Sequence, residues 1–121
     1  TGTILVVDDE PLVSGVATRI LEHAGFAVLT ADRASEGVEL FRAHAGEIGA
    51  VLLDMTMPEM SGAQVYHELR RTDPHVPVIL TSGYNEQDAV GSFPDDELAG
   101  FVHKPFEVDT LIAAVRQALD R

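Results

Sequence analysis

Short apolar runs rich in β-branched residues alternate along the chain with longer segments of helical spacing. The runs are Thr3–Val7, Phe26–Thr30, Ala50–Leu53, Val76–Thr81 and Gly100–His103, each of the length of a buried strand. Between the first two, Val13, Val16, Ala17, Ile20, Leu21 and Ala24 recur at three- and four-residue intervals within Pro11–Ala24, which is one face of a helix. Pro11 suits a first helical turn and Gly25 suits a stop. Similar stripes predict helices over Ala34–Ala45, Gly62–Arg71 and Val108–Leu119. The segment Tyr84–Phe93 has a weaker pattern, contains Gly91 and runs into Pro94-Asp95-Asp96, so a short, mobile fourth helix is expected there.

Five strands alternating with five helices imply a parallel sheet covered by helices on both faces. Ile4–Val7 and Val51–Leu53 are apolar at every position, as strands buried on both sides are. The second run includes Ala27 and ends in polar residues, which fits an edge. Polar chemistry then falls at the strand ends: Asp8-Asp9 after the first, Asp54 after the third, Thr81-Ser82-Gly83 at the fourth and Lys104-Pro105 after the fifth. Ligands of open α/β sheets bind outside the carboxyl ends of the strands, where strand order reverses. A strand order of 2-1-3-4-5 would set these four strands in a row. Neighbouring strands lie ~4.8 Å apart, so Asp8 and Asp9 would face Asp54, with Ser82 one strand further and Lys104 within reach of a long side chain.

Composition narrows the functional classes. The 121 residues fit one domain and leave no room for a second. Eight Lys+Arg against twenty Asp+Glu give a net charge of −12, which argues against direct binding of nucleic acid and of an anionic membrane surface. The 45% apolar content supports a packed core over disorder. With no cysteine, disulfide scaffolds, thiolate zinc sites and cysteine nucleophiles are excluded. No apolar run approaches the ~18 residues of a spanning helix, and the N-terminus lacks the pattern of a signal peptide, so a cytoplasmic location is expected. The first residue is Thr, consistent either with processing or with a piece cut from a longer chain.

Three carboxylates packed together repel, at about 4 kcal/mol for a pair ~4 Å apart at an effective dielectric of 20. Lys104 supplies one compensating charge. A hard divalent cation is the natural second, because Mg²⁺ takes carboxylate, water and phosphoryl oxygens. A carboxylate kept ionised in that setting is a nucleophile toward phosphorus and forms an aspartyl phosphate.

These residues resemble the response-regulator receiver domain of two-component signalling. The resemblance rests on VVDDE (6–10), LLDMTMPEMSG (52–62), PVILTSGY (77–84) and HKPF (103–106), in the family's order and separations, and covers Ile4 to Leu119. It implies a flavodoxin-like α/β fold, a (βα)5 three-layer sandwich, and it supplies the strand order 2-1-3-4-5, which periodicity alone does not. It further implies that Asp54 is the phosphoacceptor, and that Asp8 and Asp9 hold Mg²⁺ (or Mn²⁺) with Asp54 and the backbone carbonyl of Thr56. By the same resemblance Ser82 bonds the phosphoryl group, Lys104 pairs with it, and the Lys104–Pro105 bond is cis. Ser82 and Phe101 then form a switch, and Thr56 and Tyr84 tune phosphoryl lifetime. The surface formed by the weak helix, the fifth strand and the last helix would carry the output.

Bland readings stand beside these. Asp9 ahead of Pro11 also suits a helix cap, Asp54 and Ser82-Gly83 suit turns, and Lys104 suits a surface lysine; the four motifs together favour the receiver. His23, His44, His67, His75 and His103 share no metal-ligand spacing. Leu12 lies off the apolar stripe of the first helix and, with Val13 and Val16, forms a candidate docking edge for a histidine kinase. The expected partners are a histidine kinase or histidine phosphotransfer protein and a downstream protein or domain, with the chain a monomer or a weak phosphorylation-dependent dimer. An Mg²⁺-dependent phosphohydrolase with an aspartyl nucleophile is the enzymatic alternative, but such enzymes usually place a second Asp where Thr56 stands. A dinucleotide binder lacks its G-x-G-x-x-G after the first strand. Residues 1–121 are thus expected to form a single receiver domain without an output domain, standing alone or excised from a hybrid sensor kinase.

Overall fold

The computed structural model describes residues 2–55, 57, 60, 62–82 and 98–120, with Ser82 described by its backbone. Five strands are present among the described residues: β1 (Thr3–Val7), β2 (Ala27–Ala31), β3 (Ile48–Asp54), β4 (Val78–Ser82) and β5 (Gly100–His103). The helices among the described residues are α1 (Pro11–His23), α2 (Ala34–His44), α3 (Gly62–Thr72) and α4 (Val108–Leu119). The weak helix expected over Tyr84–Phe93 lies outside the described residues. All four strand pairings are parallel and the order is β2-β1-β3-β4-β5, the flavodoxin-like arrangement. β2 and β5 are the edges.

The strands at the centre separate two cores by alternation. Ile4 and Val6 of β1 join Ala50, Leu52, Ile79 and Val102 beneath α1 and α4, which contribute Ala17, Leu21, Leu111 and Val115. Leu5 and Val7 join Val51, Leu53, Val78 and Leu80 beneath α2 and α3, which contribute Val38, Phe41, Val65 and Leu69. Continuous apolar runs are therefore what a sheet covered on both faces requires. Across the α2–α3 surface, Glu68 accepts from Arg42 at 2.9 Å and from Arg71 at 3.3 Å.

Two glycines fix local geometry. Gly25 has φ 101° and ends α1: its N–H reaches Glu22 O and the Phe26 N–H reaches Leu21 O, both at 3.0 Å, in a Schellman arrangement. Gly37 lets α2 lie directly on β1, since a Cβ there would stand 2.8 Å from Val7 Cγ2.

Some strand limits differ from the apolar runs. β3 begins at Ile48, which pairs with Thr3; Gly49, which the run did not include, is the extra residue of a register shift before pairing resumes at Ala50 with Ile4. β4 begins at Val78, because Pro77 has no N–H to donate and offers only its carbonyl, to Val51 N at 3.0 Å. β2 begins one residue late, at Ala27, and runs on to Ala31, which is buried.

Candidate functional site

The carboxyl ends of β1, β3 and β5 carry three side chains into one polar centre. Asp8 follows β1 and continues its ladder, donating its N–H to Ala31 O at 3.0 Å. Its Oδ1 accepts the Glu10 N–H at 2.9 Å, which fixes the turn into α1. The N-cap of α1 is Glu10, with no side-chain capping bond, so the cap reading of Asp9 does not hold. Asp54 is the last residue of β3, fully buried, and pairs with Thr81 of β4. Lys104 follows β5 and turns its ammonium inward. Its Nζ is 2.9 Å from Asp8 Oδ2, 3.2 Å from Asp54 Oδ1 and 3.7 Å from Glu10 Oε1. The Lys104–Pro105 peptide bond is cis.

Electrostatics follow from this crowding. Burial pushes the Asp8 carboxyl up from its ordinary value, with the Asp54 charge adding to the rise, while the Glu10 N–H and Lys104 work against it. Asp9 is an exposed residue, yet desolvation and then contact with the Asp54 carboxylate also push its carboxyl up. For Lys104, burial alone would lower the ammonium. The hydrogen bond to Asp8 and the charge of Asp54 outweigh it, and the net direction is upward. The pocket thus holds more negative charge than Lys104 neutralises.

That excess is what a hard cation would relieve. Asp8, Asp9 and Glu10 each bring a carboxylate oxygen within 4.8 Å of the others. The Asp9 carboxyl also contacts Asp54. An all-oxygen, carboxylate-rich donor set suits Mg²⁺ or Mn²⁺ rather than zinc or copper, so the residues present fit such an ion.

The remaining sequence candidates divide. Ser82 ends β4, and its backbone pairs with His103. Phe101 is half-buried, pairs with Leu80, and packs against the core on the α2–α3 side. Thr56, Tyr84 and the Ser82 side chain lie outside the described residues. Glu10 is the member that sequence reasoning missed: it was part of VVDDE but carried no role, and its only signal was adjacency to the acidic pair. The exposed apolar side chains include Leu12 (84%) and Val16 (40%) on α1 and Val108 at the start of α4. No helix among the described residues is long and apolar enough to cross a membrane.

Comparison with known proteins identifies the family and the fold. The family model of the response regulator receiver domain matches residues 4–116. Over 121 residues the chain is 35% identical to the sensor kinase CckA of Brucella abortus, covering 100% of this chain and 13% of that protein. It is 30% identical over 118 residues to the chemotaxis protein CheY of Bacillus subtilis, covering 97% of each. The crystal structure of a response regulator receiver domain protein from Clostridium thermocellum superposes with a TM-score of 0.92 at 30% identity, covering 100% of this chain and 96% of that one.

Proposed function

Because the chain belongs to the response regulator receiver domain family of two-component signalling, we propose that Asp54 is its phosphoacceptor. The donor is a phosphohistidine on a histidine kinase or a histidine phosphotransfer protein. A carboxylate oxygen of Asp54 attacks phosphorus, the phosphorus–nitrogen bond breaks, and its electron pair returns to the imidazole of the donor. The product is an aspartyl phosphate, and its later hydrolysis gives inorganic phosphate and restores the carboxylate.

The observation that carries this reading is the position of Lys104 between two buried carboxylates, Asp8 at 2.9 Å and Asp54 at 3.2 Å. An ammonium held there stands ready to donate to a phosphoryl oxygen once one arrives. Asp8, Asp9 and Asp54, with the Thr56 carbonyl, would hold Mg²⁺ or Mn²⁺. Such an ion supplies charge neutralisation for the oxygens of the group being transferred. Ser82 donates its hydroxyl to the phosphoryl group, and Thr56 and Tyr84 govern access of water to it.

Phosphorylation then becomes shape. Ser82 is drawn toward the phosphoryl oxygens and Phe101 turns into the space vacated, a local charge event biasing a two-state element. The surface around β5 and α4 carries the change to a downstream protein or domain. The domain works in the cytoplasm, alone or as one part of a longer regulator or hybrid kinase. No direct contact with nucleic acid or membrane is part of this role.

Incubation with acetyl phosphate and Mg²⁺, followed by intact-mass spectrometry, tests the chemistry. One added phosphoryl group is expected, not formed when the metal is chelated beforehand and absent in Asp54→Asn. Phosphorylation that persists in Asp54→Asn sinks the assignment.

A further inference from the structure

The ring of Phe101 is not held by the core alone. His103, two residues on along β5, lies on the same face of the strand, and the two rings meet edge to face with centroids 4.9 Å apart and planes at 71°. Phe101 is half-buried and His103 is exposed, so His103 covers a side of Phe101 that the core does not. The backbone of His103 is in turn tied on two sides. It pairs in register with Ser82 of β4, and it immediately precedes Lys104, whose ammonium joins Asp8 and Asp54.

We infer that His103 is a positioning residue for the switch, holding Phe101 in the orientation seen here through this edge-to-face contact. The inference rests on the reading that Phe101 turns on phosphorylation of Asp54. When the aromatic ring leaves for the space beside Ser82, the contact with His103 is given up, so His103 opposes the turn. A ring pair of this geometry biases a two-state equilibrium by about two- to tenfold. Val102, between the two rings in sequence, points to the opposite core and takes no part.

The test titrates beryllofluoride with Mg²⁺ into the wild type, His103→Ala and His103→Phe while the Phe101 ring resonances are followed by NMR. In the wild type these resonances shift on binding. In His103→Ala, binding tightens by about two- to tenfold, and the resonances of the free protein already lie displaced toward their bound positions. His103→Phe, which keeps an aromatic edge, returns both to wild-type values. Because the side chain is exposed, removing it leaves the fold intact, and the thermal midpoint checks this. Wild-type Phe101 resonances that stay fixed on binding overturn the switch and the role of His103 with it. Resonances that move in the wild type, with His103→Ala binding no tighter than wild type, overturn the role of His103 alone.

Discussion

The ammonium of Lys104 stands 2.9 Å from Asp8 Oδ2, with side-chain exposures of 11% and 3%, so the pair is almost closed to solvent. Ion pairs this buried contribute little when compared with apolar substitutes, but removing one partner strands the other.

Replacing Lys104 by Met therefore leaves Asp8 and the fully buried Asp54 without their shared cation. A loss of about 3 kcal/mol in unfolding free energy near neutral pH is expected. Part of it returns as pH falls, because an uncompensated buried carboxylate takes up a proton. Urea denaturation of wild type and Lys104→Met at several pH values measures both; equal stability across the range counts against a structural role for the pair.

Asp8 and Asp9 both bind protons more tightly in the folded state than at their ordinary value of 3.8. Between that value and their raised ones, the native state carries the more protons, so unfolding free energy falls as pH rises through the window. Lys104 has the same sign at the other end: its contribution is whole below 10.5 and is lost as pH climbs through its raised value. Asp9→Asn removes one crowded charge. A metal-free thermal midpoint higher by roughly 2–5 °C and a shallower slope in the acid window are expected. Mg²⁺ raises the midpoint of the wild type by mass action and raises that of Asp9→Asn much less. Scanning calorimetry with and without the ion decides.

Close packing at glycine predicts a contrast between two substitutions. A Cβ at Gly37 would meet both methyl carbons of the buried Val7, at 2.8 and 2.9 Å. A β-branched core residue has little room to give, so Gly37→Ala destabilises by about 1–2 kcal/mol despite the gain in helix propensity. At Gly49 the obstacle is Leu119 Cδ2 at 2.7 Å, the far end of a flexible side chain near the C-terminus. Gly49→Ala is expected to fall within about 0.5 kcal/mol of wild type. Urea midpoints that reverse this order contradict the packing described for α2 on β1.

Leu12 is 84% exposed, and nothing in the fold needs it apolar. Leu12→Glu leaves stability within about 0.5 kcal/mol and leaves phosphorylation by acetyl phosphate unchanged. Phosphotransfer from a histidine kinase slows roughly tenfold, the effect of a charge placed in the centre of an apolar contact. Equal slowing with both donors would place the defect in the pocket instead of the docking edge.

Much of the centre was readable because a parallel sheet sends its strand ends to one edge. Asp8, Asp54 and Lys104 each follow an apolar run directly, and the structure brings them within hydrogen-bonding distance. Strand order was not readable from periodicity, since the same alternation serves several orders; it came from the motif resemblance. Glu10 was missed because a third acid in a run has no spacing of its own. The cap reading of Asp9 failed because the backbone turn is held by the Asp8 carboxylate, a choice decided by where β1 ends. The starts of β3 and β4 differ from the apolar runs because β3 pairing extends back to Ile48 across a register shift at Gly49 and β4 pairing is refused by Pro77, and neither event depends on side-chain polarity. The contact of Phe101 with His103 needs ring orientations, which no alternation pattern encodes.

The strand order carries a consequence for how the protein becomes competent. Asp8 comes from near the start of the chain and Lys104 from near its end, and they meet only when β5 has docked beside β4 at the far edge of the sheet. Contacts between such distant parts of a chain form late, because loop closure must be completed before they stabilise anything. A molecule that has folded through β3 already displays Asp54 but has no cation to set beside it. Assembly of the charged centre therefore reports that the last strand has arrived, and only a finished sheet sets an ammonium beside Asp54.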